Sequence, residues 1–167
     1  MSNFRQYCRT VLGEDITRLE VLLVYLYGRN AIKILDLIDV NQLEICFSKK
    51  TFRPRALLYN KELFATIRAS DFYLIPHMPM GTLLHKALPF PKRRVAVANE
   101  MIEDILEGHT VFAKHIILAD ETLKPFEEVL VVDENDKLIS LGKTLLDYET
   151  MITATYGAAV QIREKVR

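Results

Sequence analysis

The chain has 167 residues, half of them hydrophobic, and 22 Lys and Arg balance 22 Asp and Glu. That is enough for one ordinary domain or two small ones with real cores. The longest apolar run, Val21 to Tyr27, falls far short of the roughly 20 residues of a membrane span. The opening MSNFRQYCRT has no apolar stretch of signal-peptide type, so a soluble, cytoplasmic protein with no membrane partner is expected.

Residues 1–15 are weakly patterned and read as a lead segment of uncertain order. From Ile16 to about Ile38 apolar residues recur at helical spacing, as Leu19, Leu22, Leu23 and Leu26 and then Ile32, Leu35 and Ile38. Gly28 and Asn30 interrupt them, which predicts a stop and a restart. The period then becomes two: Leu43, Ile45 and Phe47 alternate with Glu44, Cys46 and Ser48 in a half-buried strand. Further strands are predicted over 56–59 and 63–67, with a possible fourth over 72–75, and Pro79 suits the first turn of a short helix. Cys8 and Cys46 have no close-spaced partner and no Cys/His cluster, so no metal site is expected and Cys46 reads as a buried apolar residue.

Pro89-Phe90-Pro91 breaks the pattern and marks the expected boundary between residues 1–90 and 91–167. Charge divides there too. Residues 1–90 hold 12 Lys and Arg against 8 Asp and Glu, and residues 91–167 hold 10 against 14. The second half therefore lacks the basic balance usual in a nucleic-acid binder, and any such contact must come from a local patch.

The second half opens with Lys92-Arg93-Arg94, which could contact phosphate or keep a linker wet. A strand over 95–98 follows, then Asn99 as a helix cap and a short helix with Met101, Ile102, Ile105 and Leu106 on its apolar face. Gly108 ends it. Strands are predicted over 111–117, 129–132 and 138–145, with Gly142 at a bulge or close approach. Asp147 caps a last short helix that Gly157 ends, before a strand over 158–166. The fold class expected is an α+β N-terminal domain, helices plus a small antiparallel sheet, followed by a β-rich barrel.

Three stretches of the second half are diagnostic: Gly108-His109-Thr110-Val111-Phe112-Ala113-Lys114-His115; Glu128-Val129-Leu130-Val131-Val132-Asp133; and Leu141-Gly142-Lys143-Thr144-Leu145-Leu146, with Met151 and Gly157-Ala158-Ala159-Val160 beyond. They resemble the PUA domain, a small RNA-binding pseudo-barrel. In the first half, Ser48-Lys49-Lys50-Thr51, Glu62 to Asp71 and Leu84 to Pro89 resemble the domain that precedes PUA in archaeal tRNA-guanine transglycosylase and its relative archaeosine synthase. Those enzymes carry a large catalytic barrel upstream with an aspartate and a zinc site, for which this chain has no room. They usually have Gly where Phe126 stands.

The resemblance implies a non-catalytic grip on the tRNA acceptor stem and its single-stranded end. Single strands are held by stacking on aromatic faces and by cations along the backbone. Phe112 offers a ring and Lys114 a phosphate partner, Gly108 permits close backbone approach, and His109 and His115 can donate or stack. Thr110, Val111 and Ala113 complete the stretch. Arg163, Lys165 and Arg167 alternate on one strand face and could line a phosphate track, or form a solvated tail. Lys49, Lys50, Arg53 and Arg55 crowd one hairpin and repel one another unless an anion shares the site. The blander readings are a core Phe112, a solvated Lys114 and a Gly108 that is only a helix cap. No catalytic constellation and no cofactor are expected. The expected partner is tRNA or similarly structured RNA. The alternatives are a tRNA-targeting subunit of a split tRNA-modifying enzyme with a separately encoded catalytic chain, and a ribosome-associated factor.

Overall fold

A computed structural model of the chain describes residues 6–166. These fall into two compact units, one ending at Ala87 and the other beginning at Leu88.

The first unit is a five-stranded antiparallel meander with helices. Its strands are β1 (Gln6–Thr10), β2 (Leu43–Ser48), β3 (Pro54–Tyr59), β4 (Glu62–Ile67) and β5 (Leu74–Pro76), adjacent in that order. The weakly patterned lead segment is therefore ordered from Gln6 as an edge strand. A disulfide joins Cys8 of β1 to Cys46 of β2, which face each other in register. Cys46 is buried as expected, and Cys8, 38 positions away, is its covalent partner.

Helix α1 (Gly13–Tyr27) presents Leu19, Leu23 and Tyr27 to the core at four-residue spacing, and the Tyr27 hydroxyl donates to the Leu74 carbonyl at 2.6 Å. Asp15 anchors its start. The carboxylate accepts from the Leu12 N–H at 2.8 Å and pairs with Arg9 of β1 at 2.6 Å. Gly28, at a φ of 90°, breaks the helix where the sequence predicted. A 3-10 turn over Arg29–Ile32 and the single-turn α2 (Lys33–Asp36) follow, and α3 (Met78–Ala87) starts with Pro79 in its first turn.

The second unit is a six-stranded sheet in the order β7-β11-β10-β9-β6-β8. The strands are β6 (Arg94–Val97), β7 (Val111–Phe112), β8 (Ile116–Ala119), β9 (Glu128–Val132), β10 (Leu138–Thr144) and β11 (Ala158–Lys165), with α4 (Ile102–Leu106) and α5 (Tyr148–Thr153). Only β6 and β9 run parallel. The two edges, β7 and β8, are separated in sequence by a single 3-10 turn, Ala113–His115. That tether curls the sheet into a pseudo-barrel and makes 113–115 its seam. Val95, Val97, Ile105, Val111, Val131 and Met151 are among the residues that fill the interior.

Gly142 marks the register shift between β10 and β11. A Cβ there would stand 2.7 Å from Val160 Cγ1 and 2.8 Å from the Gln161 carbonyl, so a side chain is excluded. Asp147 caps α5 by accepting from the Thr150 N–H at 2.9 Å. Asn99 does not cap α4. It opens a 3-10 turn, and its side chain accepts from the Glu134 N–H at 3.2 Å.

Candidate nucleic-acid interface

The seam carries the residues that the sequence singled out. Gly108, at a φ of 96°, ends α4 with its N–H on the Ile105 carbonyl. The chain then enters β7, where Val111 and Phe112 point to opposite faces. Val111 is buried in the barrel and Phe112 is 45% exposed. Ala113 is buried, Lys114 is exposed and His115 is half-buried. The ring of Phe112 and the ammonium-bearing chain of Lys114 thus face solvent together. Val111 and Ala113 are corrected: their side chains belong to the core, and only their backbone could meet a ligand. Thr110 is half-buried. His109 lies against carboxylates, with Nδ1 3.9 Å from Asp104 and Nε2 4.0 Å from Glu107, so its surroundings oppose an anion.

Tyr156, 84% exposed, was missed by the sequence reading. Ala158 pairs with Phe112, and the Ala113 N–H donates to the Gly157 carbonyl at 2.9 Å, so Tyr156 comes to the same end of β7 and β11. A depression of about 510 Å³ beside it is lined by Thr150, Thr153, Thr155 and Tyr156. Its signal in the sequence was an aromatic directly before a turn glycine.

The other basic groups separate. Arg163 pairs with Glu128, with Nη2 at 2.7 Å and Nε at 2.9 Å from Oε2. Lys165 is exposed, and Arg167 lies outside the described residues. Arg93 and Arg94 are also corrected, because neither wets a linker. Both are buried, Arg93 pairing with Glu127 at 3.2 Å and Arg94 with Asp136 at 3.2 Å while it donates to the Leu88 and Lys92 carbonyls. Lys49, Lys50, Arg53 and Arg55 are all exposed on the β2–β3 hairpin, and no ion pair among the described residues holds their side chains.

Phe126 has a left-handed backbone, with a φ of 66°, which explains why its place suits glycine. Its N–H donates to the Thr144 carbonyl at 2.7 Å, its ring is 63% exposed, and Lys143 Nζ stands 5.8 Å from the ring centroid.

Residues 17–91 match the patch-forming domain C2 of tRNA-guanine transglycosylase, and residues 93–166 match the PUA domain. The chain is a C2 domain followed by a PUA domain. A tRNA-guanine(15) transglycosylase of Methanococcus vannielii is 41% identical over 161 residues, covering 96% of this chain and 24% of its own length. Another, of Pyrococcus abyssi, is 35% identical over 85% of this chain and 23% of its own length. The chain therefore spans about a quarter of the length of these curated relatives. Among solved structures, a hypothetical protein of Pyrococcus horikoshii superposes with a TM-score of 0.71 at 23% identity, covering 96% of this chain and 95% of its own. A conserved PUA domain protein of Thermoplasma acidophilum gives a TM-score of 0.64 at 18% identity over 95% of this chain and 93% of its own. Both share the fold of the C2–PUA pair along nearly its whole length. Among the described residues, no helix is long and apolar enough to cross a membrane.

Proposed function

We propose that this C2–PUA chain binds structured RNA in the cytoplasm, tRNA above all, and performs no chemistry of its own. The observation that carries the reading is the seam of the PUA unit, where the ring of Phe112 and the side chain of Lys114 are both exposed, with Tyr156 at the same end of β7 and β11. Stacked aromatic faces with adjacent cations hold single-stranded nucleotides, each good stack contributing about 1–3 kcal/mol. Gly108 and Thr110 lend the approach, and His115 a ring nitrogen. In the C2 unit, Lys49, Lys50, Arg53 and Arg55 meet phosphates of the RNA backbone, with Lys165 as a further cation. The curated relatives are named tRNA-guanine(15) transglycosylases, which supports tRNA as the ligand; within it, the acceptor stem and its single-stranded end are the part this reading assigns to the grip. Titration of labelled tRNA tests the reading. Micromolar affinity that weakens with salt is expected, and no binding at low salt would reject it.

A second reading has its own support. The chain corresponds to a quarter of a transglycosylase, and Val21, Tyr25 and Leu37 in the helical segment expose large apolar side chains. It would then serve as the tRNA-targeting subunit of a split enzyme of the archaeosine pathway, beside a separately encoded catalytic chain. Co-expression with such a chain tests this: the two should co-purify, and tRNA modification should rise when both are present.

A further inference from the structure

Two hairpin ends of the C2 unit share an unusual device. At the β2–β3 turn the Ser48 N–H donates to the Arg53 carbonyl at 2.9 Å, and the Phe52 N–H donates to the Ser48 carbonyl at 2.8 Å. At the β4–β5 turn the Arg68 N–H donates to the Tyr73 carbonyl at 3.0 Å, and the Phe72 N–H to the Arg68 carbonyl at 2.9 Å. The two loops are the same six-residue closure. In each, the fifth residue takes a left-handed backbone, with φ of 58° at Phe52 and 59° at Phe72. Glycine or asparagine is the usual occupant of such a position, because a Cβ, and a bulky side chain above all, is strained there.

Burial does not compensate for the strain. Phe52 is 71% exposed and Phe72 44% exposed. Both turns lie at the same end of the meander, and both rings line one groove of about 720 Å³ between that end and α1, with Arg18, Val21, Leu22 and Ile45 among the other walls. Strain held twice to display a ring over one groove is the pattern of a functional surface.

Charge decides what the groove takes. Two of its ionic neighbours are neutralised internally, Arg9 by Asp15 and Arg68 by Asp71. Arg18 on the groove wall, and Lys49, Lys50 and Arg53 beside Phe52, are exposed, with no ion pair among the described residues. An apolar protein segment would fill the walls and leave these cations unanswered. A nucleotide uses both, its base against the rings and its phosphates against the cations. We propose that this groove receives an unpaired nucleobase of the bound RNA, stacked on Phe52 and Phe72, with the flanking phosphates held by Arg18, Lys49, Lys50 and Arg53. The proposal rests on the RNA-binding reading and adds a base-binding site outside the PUA seam.

The test replaces each ring by the residue its backbone prefers. Phe52→Gly, Phe72→Gly and the double variant are compared with the full wild-type chain by thermal unfolding, titration of a tRNA transcript, and chemical probing of unpaired bases in the complex. Glycine relieves the left-handed strain, so the melting temperature should hold or rise. Affinity for tRNA should fall about tenfold in the double variant, with loss of protection at a discrete unpaired base. A lowered melting temperature would make the rings structural and overturn the proposal. So would unchanged tRNA affinity and protection in the double variant, which would leave the RNA reading standing and turn the groove toward a protein partner. Failure of the wild type to bind tRNA at all would remove the RNA reading and this proposal together.

Discussion

Arg163 of β11 reaches across β10 to Glu128 of β9, with Nη2 2.7 Å and Nε 2.9 Å from the same carboxylate oxygen. Glu128 is buried, and Arg163 is an ion-pair partner for it. Removing one member of a buried pair strands the other, which typically costs about 3–5 kcal/mol when both are fully desolvated. Arg163 is partly exposed, so Arg163→Met should destabilise the PUA unit by about 2–3 kcal/mol, read as a lowered midpoint in urea unfolding. Loss of tRNA affinity with unchanged stability would instead return Arg163 to the phosphate contacts.

Lys49, Lys50, Arg53 and Arg55 should behave in the opposite way. With no internal ion pairs, their replacement by Gln leaves the melting temperature unchanged or slightly raised, because mutual repulsion falls. The dependence of tRNA affinity on salt should flatten, each lost phosphate contact lowering the slope of log K against log salt by about 0.7–0.9. Titrations at several salt concentrations check this, and an unchanged slope would take the hairpin out of the interface.

Which of these roles could be read from the sequence follows physical lines. The break at Gly28, the strands after Leu43, the bulge at Gly142 and the cap at Asp147 were legible because each depends on neighbours in sequence. Strand β1 was not: it is a five-residue edge strand whose partner lies more than 30 positions away, and its own pattern does not alternate. The disulfide followed β1 out of sight. Arg93 and Arg94 look like a solvated charge run because Glu127 and Asp136, which let them be buried, arrive from distant strands. At the candidate site, the outward Phe112 beside Lys114 was legible as a chemical pair, whereas the burial of Val111 and Ala113 and the arrival of Tyr156 depend on how the barrel closes.

The disulfide itself should matter for the C2 unit. Cys8 and Cys46 lie 38 positions apart, and closing a loop of that length restricts the unfolded chain by about 2–4 kcal/mol. Calorimetry with and without a thiol reductant should show a lower unfolding temperature in the reduced protein, matched by Cys8→Ser with Cys46→Ala. Identical melting of the oxidised and reduced forms would mean that the cross-link adds nothing to the unit.

Acid should destabilise the chain through several carboxylates. Burial pushes the Asp120 carboxyl up, but hydrogen bonds from the Arg93 N–H, the Thr122 N–H and hydroxyl, with Lys92 nearby, outweigh it and leave it below the usual 3.8. The Arg68 guanidinium draws Asp71 down to about 2, and the Arg9 guanidinium lowers Asp15. A carboxyl depressed in the folded state stabilises it above the unfolded value and loses that contribution as pH falls through the folded one. The melting temperature should therefore be flat from about pH 8 to 5 and fall below about pH 4, less steeply in Asp120→Asn. A maximum below pH 4 would contradict this.

The most direct measurement is a titration of labelled tRNA with wild type, Phe112→Ala and Lys114→Ala at low salt, alongside their melting curves. Micromolar binding by the wild type, weakened about five- to tenfold in each variant at unchanged melting temperature, is the predicted result. Equal binding by all three would contradict the seam as the RNA interface, and no binding by any of them would contradict RNA recognition altogether.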